Sequence, residues 1–184
     1  ALPIFVGKRQ KTDILVGIMF TNGELIQKYY WTQDIIDNLE NAGSYREMFE
    51  LVAPVLERAP EGLAQVCGPF STGGLGSIEK NMKRMGDTVR VLNELGYPLF
   101  NQVPLEVPMQ KIKAEREEML GGAYDTDILD HFYLPLFESG AIKKLFFMHG
   151  WESSHGSKWE HDQGERLGIE IVYLPEDFLE TRSL

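Results

Sequence analysis

The sequence predicts an α/β protein in which a mostly parallel sheet follows an N-terminal extension. Residues 63–184 alternate short apolar runs with longer amphipathic stretches, which is the pattern of strands and crossover helices in a parallel sheet. Residues 1–62 differ, because two adjacent strand-like runs precede two helical patterns there. We therefore predict two regions, a hairpin-plus-helix extension over residues 1–62 and an α/β domain over residues 63–184.

The composition excludes several classes of partner. The 184 residues have a formal net charge of −10, which argues against a nucleic-acid polymer because that affinity rests mainly on Lys and Arg. A small nucleotide stays compatible, since backbone N–H groups and hydroxyls can hold a single phosphate. No apolar run approaches the ~20 residues of a membrane span, so no membrane partner is expected.

The compartment and the metal content are predicted from a few residues. Residues 1–8 lack the basic start and the long apolar stretch of a secretory signal. Cys67 is the only cysteine, so no intramolecular disulfide can form and no thiolate metal site is expected. His155 and His161 lack the i,i+4 spacing of a helical metal site. We expect a cytoplasmic protein in a reducing compartment, with no metal and no cofactor.

The extension begins with a predicted hairpin. The apolar run Ile14–Phe20 leads into Asn22-Gly23, and a second strand-like run extends from Glu24 to Trp31. Asn-Gly between two such runs is a strong hairpin signal. Helical patterns follow over residues 32–39 and 44–58.

The α/β domain is predicted from apolar runs, each followed by a loop and an amphipathic stretch. The predicted strands are Leu63–Cys67, Tyr97–Asn101, Lys144–Met148 and Ile169–Leu174. The predicted helices span about Ser77–Leu95, Met109–Leu120, Asp125–Phe137 and Lys158–Leu167. The third of these is expected to be interrupted at Pro135. Glycine and proline separate most of these segments, as expected for turns between regular elements.

A glycine-rich loop follows the first predicted strand of this domain. Glycines let the backbone approach an anion, and the N-terminus of the next helix attracts negative charge. The spacing fits neither a Walker loop nor a dinucleotide fingerprint, so a flexible connector with a cap at Ser77 is an equal alternative. The candidate ligand contacts in this loop are Gly68, Phe70, Ser71, Thr72, Gly73 and Gly74.

A second polar loop joins the strand Lys144–Met148 to a helix that contains Glu160. Open α/β sheets bind ligands at the carboxyl ends of their strands, so Glu160 is predicted to face a crevice there. The ordinary alternative is a glutamate favoured by the helix dipole alone. Candidate ligand contacts nearby are Trp151, Ser154, Gly156 and Ser157, and Asn101 at the end of another strand.

Three of these candidates have structural alternatives of their own. Phe70 and Trp151 can stack on a base, but a tryptophan beside a strand end can equally pack internally. Asn101 can hydrogen-bond a base edge or cap a loop.

Together, these two loops resemble those of the nucleoside 2-deoxyribosyltransferase-like superfamily. The resemblance rests on Gly68-Pro69 after a strand, Asn101 at the end of a strand, and Gly150-Trp151-Glu152-x-Ser154-x-Gly156-x-x-x-Glu160 before the last strand. It is greatest to a bacterial and phage subgroup with the same Gly-Trp-Glu-x-Ser-x-Gly block, and it covers residues 63–175. The fold it implies is a three-layer, flavodoxin-like (Rossmann-like) domain with a mostly parallel sheet.

The resemblance implies N-glycosidic bond cleavage in a (deoxy)nucleoside 5′-monophosphate. The glutamate at the position of Glu160 attacks the anomeric carbon in such enzymes and forms a glycosyl-enzyme ester. An acid on the helix before the catalytic strand assists the leaving base; Asp130 aligns better with it, and Asp127 is the alternative. Ser154 stands where the free-nucleoside transferases have an acid, which favours a phosphate ligand because a hydroxyl donates where a carboxylate repels.

Two positions differ from the family pattern and leave alternatives open. Gln65-Val66 stand in place of a tyrosine that approaches the sugar, and the glycine loop lacks the arginine frequent in the phosphate hydrolases. A free-nucleoside 2-deoxyribosyltransferase and a non-catalytic nucleotide-binding module are therefore retained. A homo-oligomer is expected, both from the resemblance and from the apolar runs of the extension. The alternative is that residues 1–62 pack on their own sheet as an extra layer or edge strand.

Overall fold

The computed structural model describes residues 31–70, 73–121, 123 and 125–181. The hairpin predicted over residues 14–31 lies outside this part of the chain apart from Trp31, and so do the candidates Ser71 and Thr72. The expectation of a homo-oligomer, which rests partly on that hairpin, stays a prediction.

The described residues form a mixed α/β structure with six α-helices and three β-strands. In chain order these are α1 (Gln33–Leu39), α2 (Tyr45–Arg58), β1 (Leu63–Cys67), α3 (Ile78–Glu94), α4 (Glu106–Leu120), α5 (Leu134–Glu138), β2 (Ile142–Phe147), α6 (His155–Leu167) and β3 (Glu170–Tyr173). Short 3₁₀-helices span Val103–Leu105 and Trp151–Ser153, and a π-helix spans Leu129–Tyr133. Within these residues, no helix has the length and apolar character needed to cross a membrane.

The three strands form one parallel sheet in the order β1-β2-β3. The strand predicted over Tyr97–Asn101 is reduced to a single parallel bridge between Leu99 and Ala64. Ala64 donates its N–H to the carbonyl of Pro98 at 2.8 Å and accepts from the N–H of Phe100 at 2.8 Å. Pro98 has no N–H, so the pairing does not extend toward the start of the predicted strand.

The strand residues alternate between two apolar clusters on opposite faces of the sheet. Ala64 and Val66 pack in a cluster with Val91 and Leu92 of α3. Leu63 and Cys67 face the other cluster, which is formed largely by helices α1, α2, α4 and α5. This period of two is the geometry of a β-strand whose two faces are both covered. Because α1 and α2 share the core of the sheet, the division predicted at residue 62 is not visible as a gap in the packing; whether the two regions are separate domains stays a prediction.

Serine side chains set the start of three helices. Ser44, Ser77 and Ser154 each occupy the N-cap of a helix, and their hydroxyls accept backbone N–H groups of the first turn at 3.2–3.3 Å. The cap at Ser154 starts α6 at His155, three residues before the predicted Lys158. This matters for the site, because the cap fixes where the first turns of α6 meet the sheet.

The helix predicted over Asp125–Phe137 is instead a π-helix followed by α5. Pro135 lies in the first turn of α5, directly after the π-helix Leu129–Tyr133. A proline lacks the N–H that would close an α-helical turn onto the residue four positions earlier. The wider π turn at this point is the local response to that missing hydrogen bond.

Two mid-helix glycines should respond in opposite ways to alanine. A Cβ on Gly86 of α3 meets nothing within 4 Å, whereas a Cβ on Gly164 of α6 would lie 2.8 Å from Cδ1 of the fully buried Leu145. Gly86→Ala should raise the free energy of unfolding by about 0.5–1 kcal/mol through helix propensity. The free energy of unfolding of Gly164→Ala should be about 1–3 kcal/mol lower than that of Gly86→Ala, because the added methyl group overpacks the core. Urea denaturation of both variants tests this, and equal stabilities would contradict the packing of α6 on β2.

Candidate functional site

A crevice opens at the carboxyl edge of the sheet, between the loops that follow β1 and β2. Its cavity volume is about 150 Å³. Gly68 and Phe70 line it from the first loop, and Ser154, Gly156 and Ser157 line it from the start of α6. Helices α2 and α4 and the segment around Asp125 form the opposite wall. Parallel sheets present ligand sites at this edge because strand ends and helix N-termini converge there.

Glu160 lies in this crevice with its carboxyl group turned toward β1. The side chain lines the crevice, and the residue is 9% exposed. Its Oε1 accepts a hydrogen bond from Nε2 of Gln65 at 2.9 Å. Burial raises the pKa of Glu160 to about 8, and hydrogen bonds from Cys67 and Gln65 act in the opposite direction. The crevice therefore contains a carboxyl group that titrates close to neutral pH.

Cys67 is the second group of β1 that contacts Glu160. The thiol is buried, and this burial, followed by the neighbouring charge of Glu160, raises its pKa well above the usual value. A thiol in such surroundings stays protonated and behaves as a small buried donor rather than as a nucleophile. Of Cys67 and Glu160, the carboxyl group is therefore the one that can ionise near neutral pH.

Hydroxyl groups gather at the N-terminus of α6, beside Glu160. Ser154 accepts from the N–H of Ser157 at 3.3 Å, which leaves the Ser154 hydroxyl hydrogen free to be donated elsewhere. Ser157 is 1% exposed, and its Oγ has no hydrogen-bond partner among the described residues. Two serines at a helix N-terminus form a suitable cradle for an anion.

The glycine loop is held in place by Asn81 of α3. This buried side chain accepts from the N–H of Leu75 at 2.8 Å and donates to the carbonyls of Phe70 and Gly73 at 3.0 and 3.1 Å. One asparagine amide thus supplies hydrogen-bond partners for three backbone groups of an irregular loop. Sequence analysis did not identify Asn81, because its position on α3 follows the ordinary helical pattern.

Gly73 and Gly74 do not line the crevice. Both have positive φ angles, and a Cβ on Gly73 would lie 2.4 Å from the carbonyl oxygen of Ser153. Gly74 donates its N–H to Oγ of Ser153 at 2.9 Å. These glycines therefore permit a close approach between the two loops, rather than direct contact with the crevice. Gly68 and Phe70 do line it.

Trp151 and Asn101 also lie away from the crevice lining. Trp151 stacks on His161 with ring centroids 4.5 Å apart and an interplanar angle of 11°, and it packs near Phe147 and Tyr173. It borders a separate groove between the ends of β2 and β3. Asn101 is half-buried and is not among the residues that line the crevice. The packing alternative for Trp151 agrees with this placement.

The two acids expected to assist the leaving base are not in the crevice lining. Asp130 is exposed, and Asp127 forms an ion pair with Arg116. The acid of this segment that does line the crevice is Asp125, which is 5% exposed and accepts from the hydroxyl of Tyr45 at 2.8 Å and from Nε of Arg116 at 2.9 Å. The loop before the π-helix turns Asp125 inward, and helical spacing alone gave no signal for this.

Glu106 is the third carboxyl group of the crevice. It lies in the first turn of α4, and burial raises its pKa to about 7. Sequence analysis did not single it out, because the helix was expected to begin at Met109. The combination of Glu106 with Glu160 gives the crevice two acids that both titrate near neutral pH.

One surface grouping on α6 meets the distance requirement for a metal site. Ligand atoms of His161, Asp162 and Glu165 lie within 4.8 Å of one another. His161 is already within 2.6 Å of the hydroxyl of Tyr173 and stacks on Trp151, and the two carboxylates are exposed. Nothing in this arrangement distinguishes it from ordinary surface acids, and it lies outside the crevice.

The raised pKa of Glu160 should make the protein less stable as the pH rises. The folded state binds this proton more tightly than the unfolded state between pH 4.5 and about 8, so the stabilisation it provides is lost through that window. Glu160→Gln has no such proton. The wild type should lose up to about 1.4 kcal/mol per pH unit relative to Glu160→Gln between pH 5.5 and 7.5, as measured by urea denaturation. Parallel pH profiles for the two proteins would contradict the buried position of this carboxyl group.

Comparisons with known proteins add no relative to this picture. No protein-family model, no curated protein and no solved structure matches the chain.

Proposed function

We propose that the protein cleaves the N-glycosidic bond of a (deoxy)nucleoside 5′-monophosphate, with Glu160 as the nucleophile. The observation on which this proposal depends most is the buried Glu160 carboxyl group, held by Gln65 in a crevice at the carboxyl edge of the sheet. A carboxylate in a water-poor crevice is a competent nucleophile toward an oxocarbenium-like carbon. The resemblance to the nucleoside 2-deoxyribosyltransferase-like superfamily, centred on Ser154-x-Gly156-x-x-x-Glu160, points to the same residue.

The phosphate of the substrate is proposed to bind at the N-terminus of α6. Ser157 offers a buried hydroxyl with no other partner among the described residues, and Ser154 lies beside it at the N-cap. The helix dipole adds a favourable potential for a negative group there. A single phosphate can be held in this way although the net charge of the protein is −10.

The proton for the departing base is proposed to come from Glu106 rather than from Asp130 or Asp127. Glu106 lines the crevice, and with a pKa of about 7 it is protonated in part of the molecules at neutral pH. Because the pKa of Glu160 is about 8, the productive form, with Glu160 ionised and Glu106 protonated, is the minor one. Asp130 is exposed, and the charge of Asp127 is engaged with Arg116. The carboxyl pair of Glu160 and Glu106 thus resembles the two-acid arrangement of glycosidases.

The proposed reaction has two displacements. The carboxylate of Glu160 attacks C1′ of the sugar, the C1′–N bond breaks with its electron pair going to the base, and Glu106 protonates the base. Water then attacks C1′ of the ester and loses its proton to the Glu106 carboxylate, which releases the sugar phosphate and restores both side chains. Splitting the displacement lowers each barrier, since neither step requires water to expel the base directly.

The finer fold assignment belongs to the same proposal. The strand order β1-β2-β3, with Leu99 bridging on the far side of β1, is compatible with a flavodoxin-like three-layer domain. In such a sheet successive strands are added first on one side of the first strand and then on its other side, and the ligand crevice opens where this order reverses. The crevice between the β1 and β2 loops has this location.

Glu160→Gln should abolish turnover and preserve binding. Release of free base from each nucleoside monophosphate, followed by chromatography, identifies the substrate of the wild type. With that substrate, Glu160→Gln should lower kcat by more than ~10³-fold, because the amide is no nucleophile, while the nucleotide Kd changes little. Glu152→Gln, an exposed glutamate of the same loop, is the matched control and should retain activity. Near wild-type kcat in Glu160→Gln would refute the mechanism.

Ser157→Ala should separate a phosphate-bearing substrate from a free nucleoside. Loss of one hydroxyl donor to a charged phosphate should raise KM for the monophosphate about 10- to 100-fold. The KM of the same variant for a free nucleoside should equal that of the wild type, which is the internal control. If free nucleosides react with a second base as acceptor and Ser157→Ala has no effect on either substrate, the transferase alternative is the correct one.

A further inference from the structure

A glutamine occupies the centre of the buried strand β1. Gln65 is 0% exposed, and its neighbours along the strand are Leu63, Ala64, Val66 and Cys67. A buried amide in an otherwise apolar strand destabilises the fold unless hydrogen bonds compensate for its lost hydration. The contacts of this one side chain therefore indicate what it contributes.

The amide nitrogen of Gln65 makes two contacts on the same face of β1. Nε2 donates to Oε1 of Glu160 at 2.9 Å and lies 3.9 Å from Sγ of Cys67. The amide oxygen of Gln65 is buried and has no hydrogen-bond partner among the described residues. The side chain is therefore only half satisfied, and its one strong hydrogen bond goes to the carboxyl group in the crevice.

Gln65 does not itself line the crevice. It stands behind Glu160, on the strand side, and any effect on a bound molecule must pass through that carboxyl group. An apolar residue of similar length would remove the unpartnered oxygen and pack equally well against the core. The position therefore favours a function in the site over a purely structural role.

We propose that Gln65 is the positioning residue of the site: its amide, donated from β1 to Oε1 of Glu160, holds the carboxyl group toward the crevice and favours its ionised form. The inference rests on the proposed function, in which ionised Glu160 is the nucleophile. An amide donor stabilises a carboxylate more than the neutral acid, because the hydrogen bond to the charged form is stronger. Burial acts against ionisation here, and Gln65 and Cys67 are the two groups that oppose it.

The remaining titratable groups near Glu160 are distributed over the walls of the crevice. Cys67 contacts it from β1, Tyr45 lines the crevice from α2, Glu106 and Lys113 from α4, and Asp125 from the segment before the π-helix. A substitution at Gln65 keeps all five side chains, and Cys67 is the one of them that also contacts the Gln65 amide. A change in the ionisation of Glu160 in that variant is therefore attributable to the lost amide.

The direct test is the titration of Glu160 in Gln65→Met, which keeps the length of the side chain and removes the donor. Carbon NMR of protein labelled at the glutamate carboxyl carbons follows the titration, and Glu160→Gln identifies the resonance. The pKa of Glu160 should rise by at least about one unit, as expected for the loss of a hydrogen bond to a charged group. Once the substrate is known, kcat/KM at pH 7 should fall about tenfold relative to the wild type. This deficit should narrow as the pH is raised, because Glu160 ionises in the variant while loss of the Glu106 proton affects both proteins equally.

Gln163→Met is the matched control. Gln163 lies on α6 as Glu160 does, but its amide oxygen accepts from Arg166 at the exposed end of the helix. This variant should leave both the titration of Glu160 and the pH profile unchanged. Gln65→Asn is a second test variant, because its side chain is one methylene shorter and its amide can no longer reach Glu160. The pKa of Glu160 should rise in this variant as well.

Each outcome decides the inference. An unchanged pKa of Glu160 in Gln65→Met overturns it, and so does failure of both Gln65 variants to fold at pH 5.5, where Glu160 is protonated and needs no donor. A shifted titration in a protein whose Glu160→Gln variant retains full turnover supports the role of Gln65 and refutes the proposed nucleophile. The two proposals therefore fail separately.

Discussion

The structure depends on how a carboxyl group is buried against a parallel sheet. Glu160 reaches from α6 to the middle of β1, where Gln65 is the only strongly polar side chain of the strand. An ionised group in such surroundings is unstable unless donors surround it, and the raised pKa of Glu160 shows that the compensation is incomplete. Burying this carboxyl group lowers the stability of the fold, as is expected where a functional site requires a residue that is unfavourable for stability.

The geometry around that carboxyl group explains several features that are otherwise unrelated. Ser154 caps α6 at the point that brings Glu160 over β1, and Gly164 allows the same helix to lie close to Leu145 of β2. The glycines after β1 keep that loop near the start of α6 without a side chain between them. Glycine thus occupies positions where two backbones approach each other, and serine occupies the position where a helix begins.

The sequence predicted the elements of the sheet and the location of the crevice better than it predicted the crevice's contents. Strands β1 and β2, the cap at Ser77 and the helix carrying Glu160 follow from apolar periodicity and capping residues, which are local signals. Pairing at Leu99 does not extend toward the start of the predicted strand because Pro98 lacks a donor, and the segment near Asp130 is a π-helix beside Pro135. The interruption at Pro135 was expected from the sequence, whereas its π-helical form and the effect of Pro98 were not.

The residues that sequence reasoning missed are set by tertiary contacts. Tyr45 meets Asp125 across 80 positions of the chain, and Gln65 meets Glu160 across 95. No periodicity or spacing encodes such pairs, so the inward turn of Asp125 was not foreseen while Asp127 and Asp130 were considered. By contrast, the block that ends at Glu160 can be read directly from the sequence, because all of its members lie within eleven consecutive residues.

The two walls of the crevice are held together by different kinds of interaction. Gly74 donates to Oγ of Ser153, which in turn donates to the carbonyl of Gly150 at 2.7 Å, so the β1 and β2 loops are joined by neutral hydrogen bonds. The opposite wall is joined by charge, through the partly exposed Arg116 and the carboxylates of Asp125 and Asp127. Dissolved ions screen the second kind of link and leave the first almost untouched. Ionic strength therefore acts mainly on the side formed by α4, and there chiefly on the more exposed Arg116–Asp127 pair.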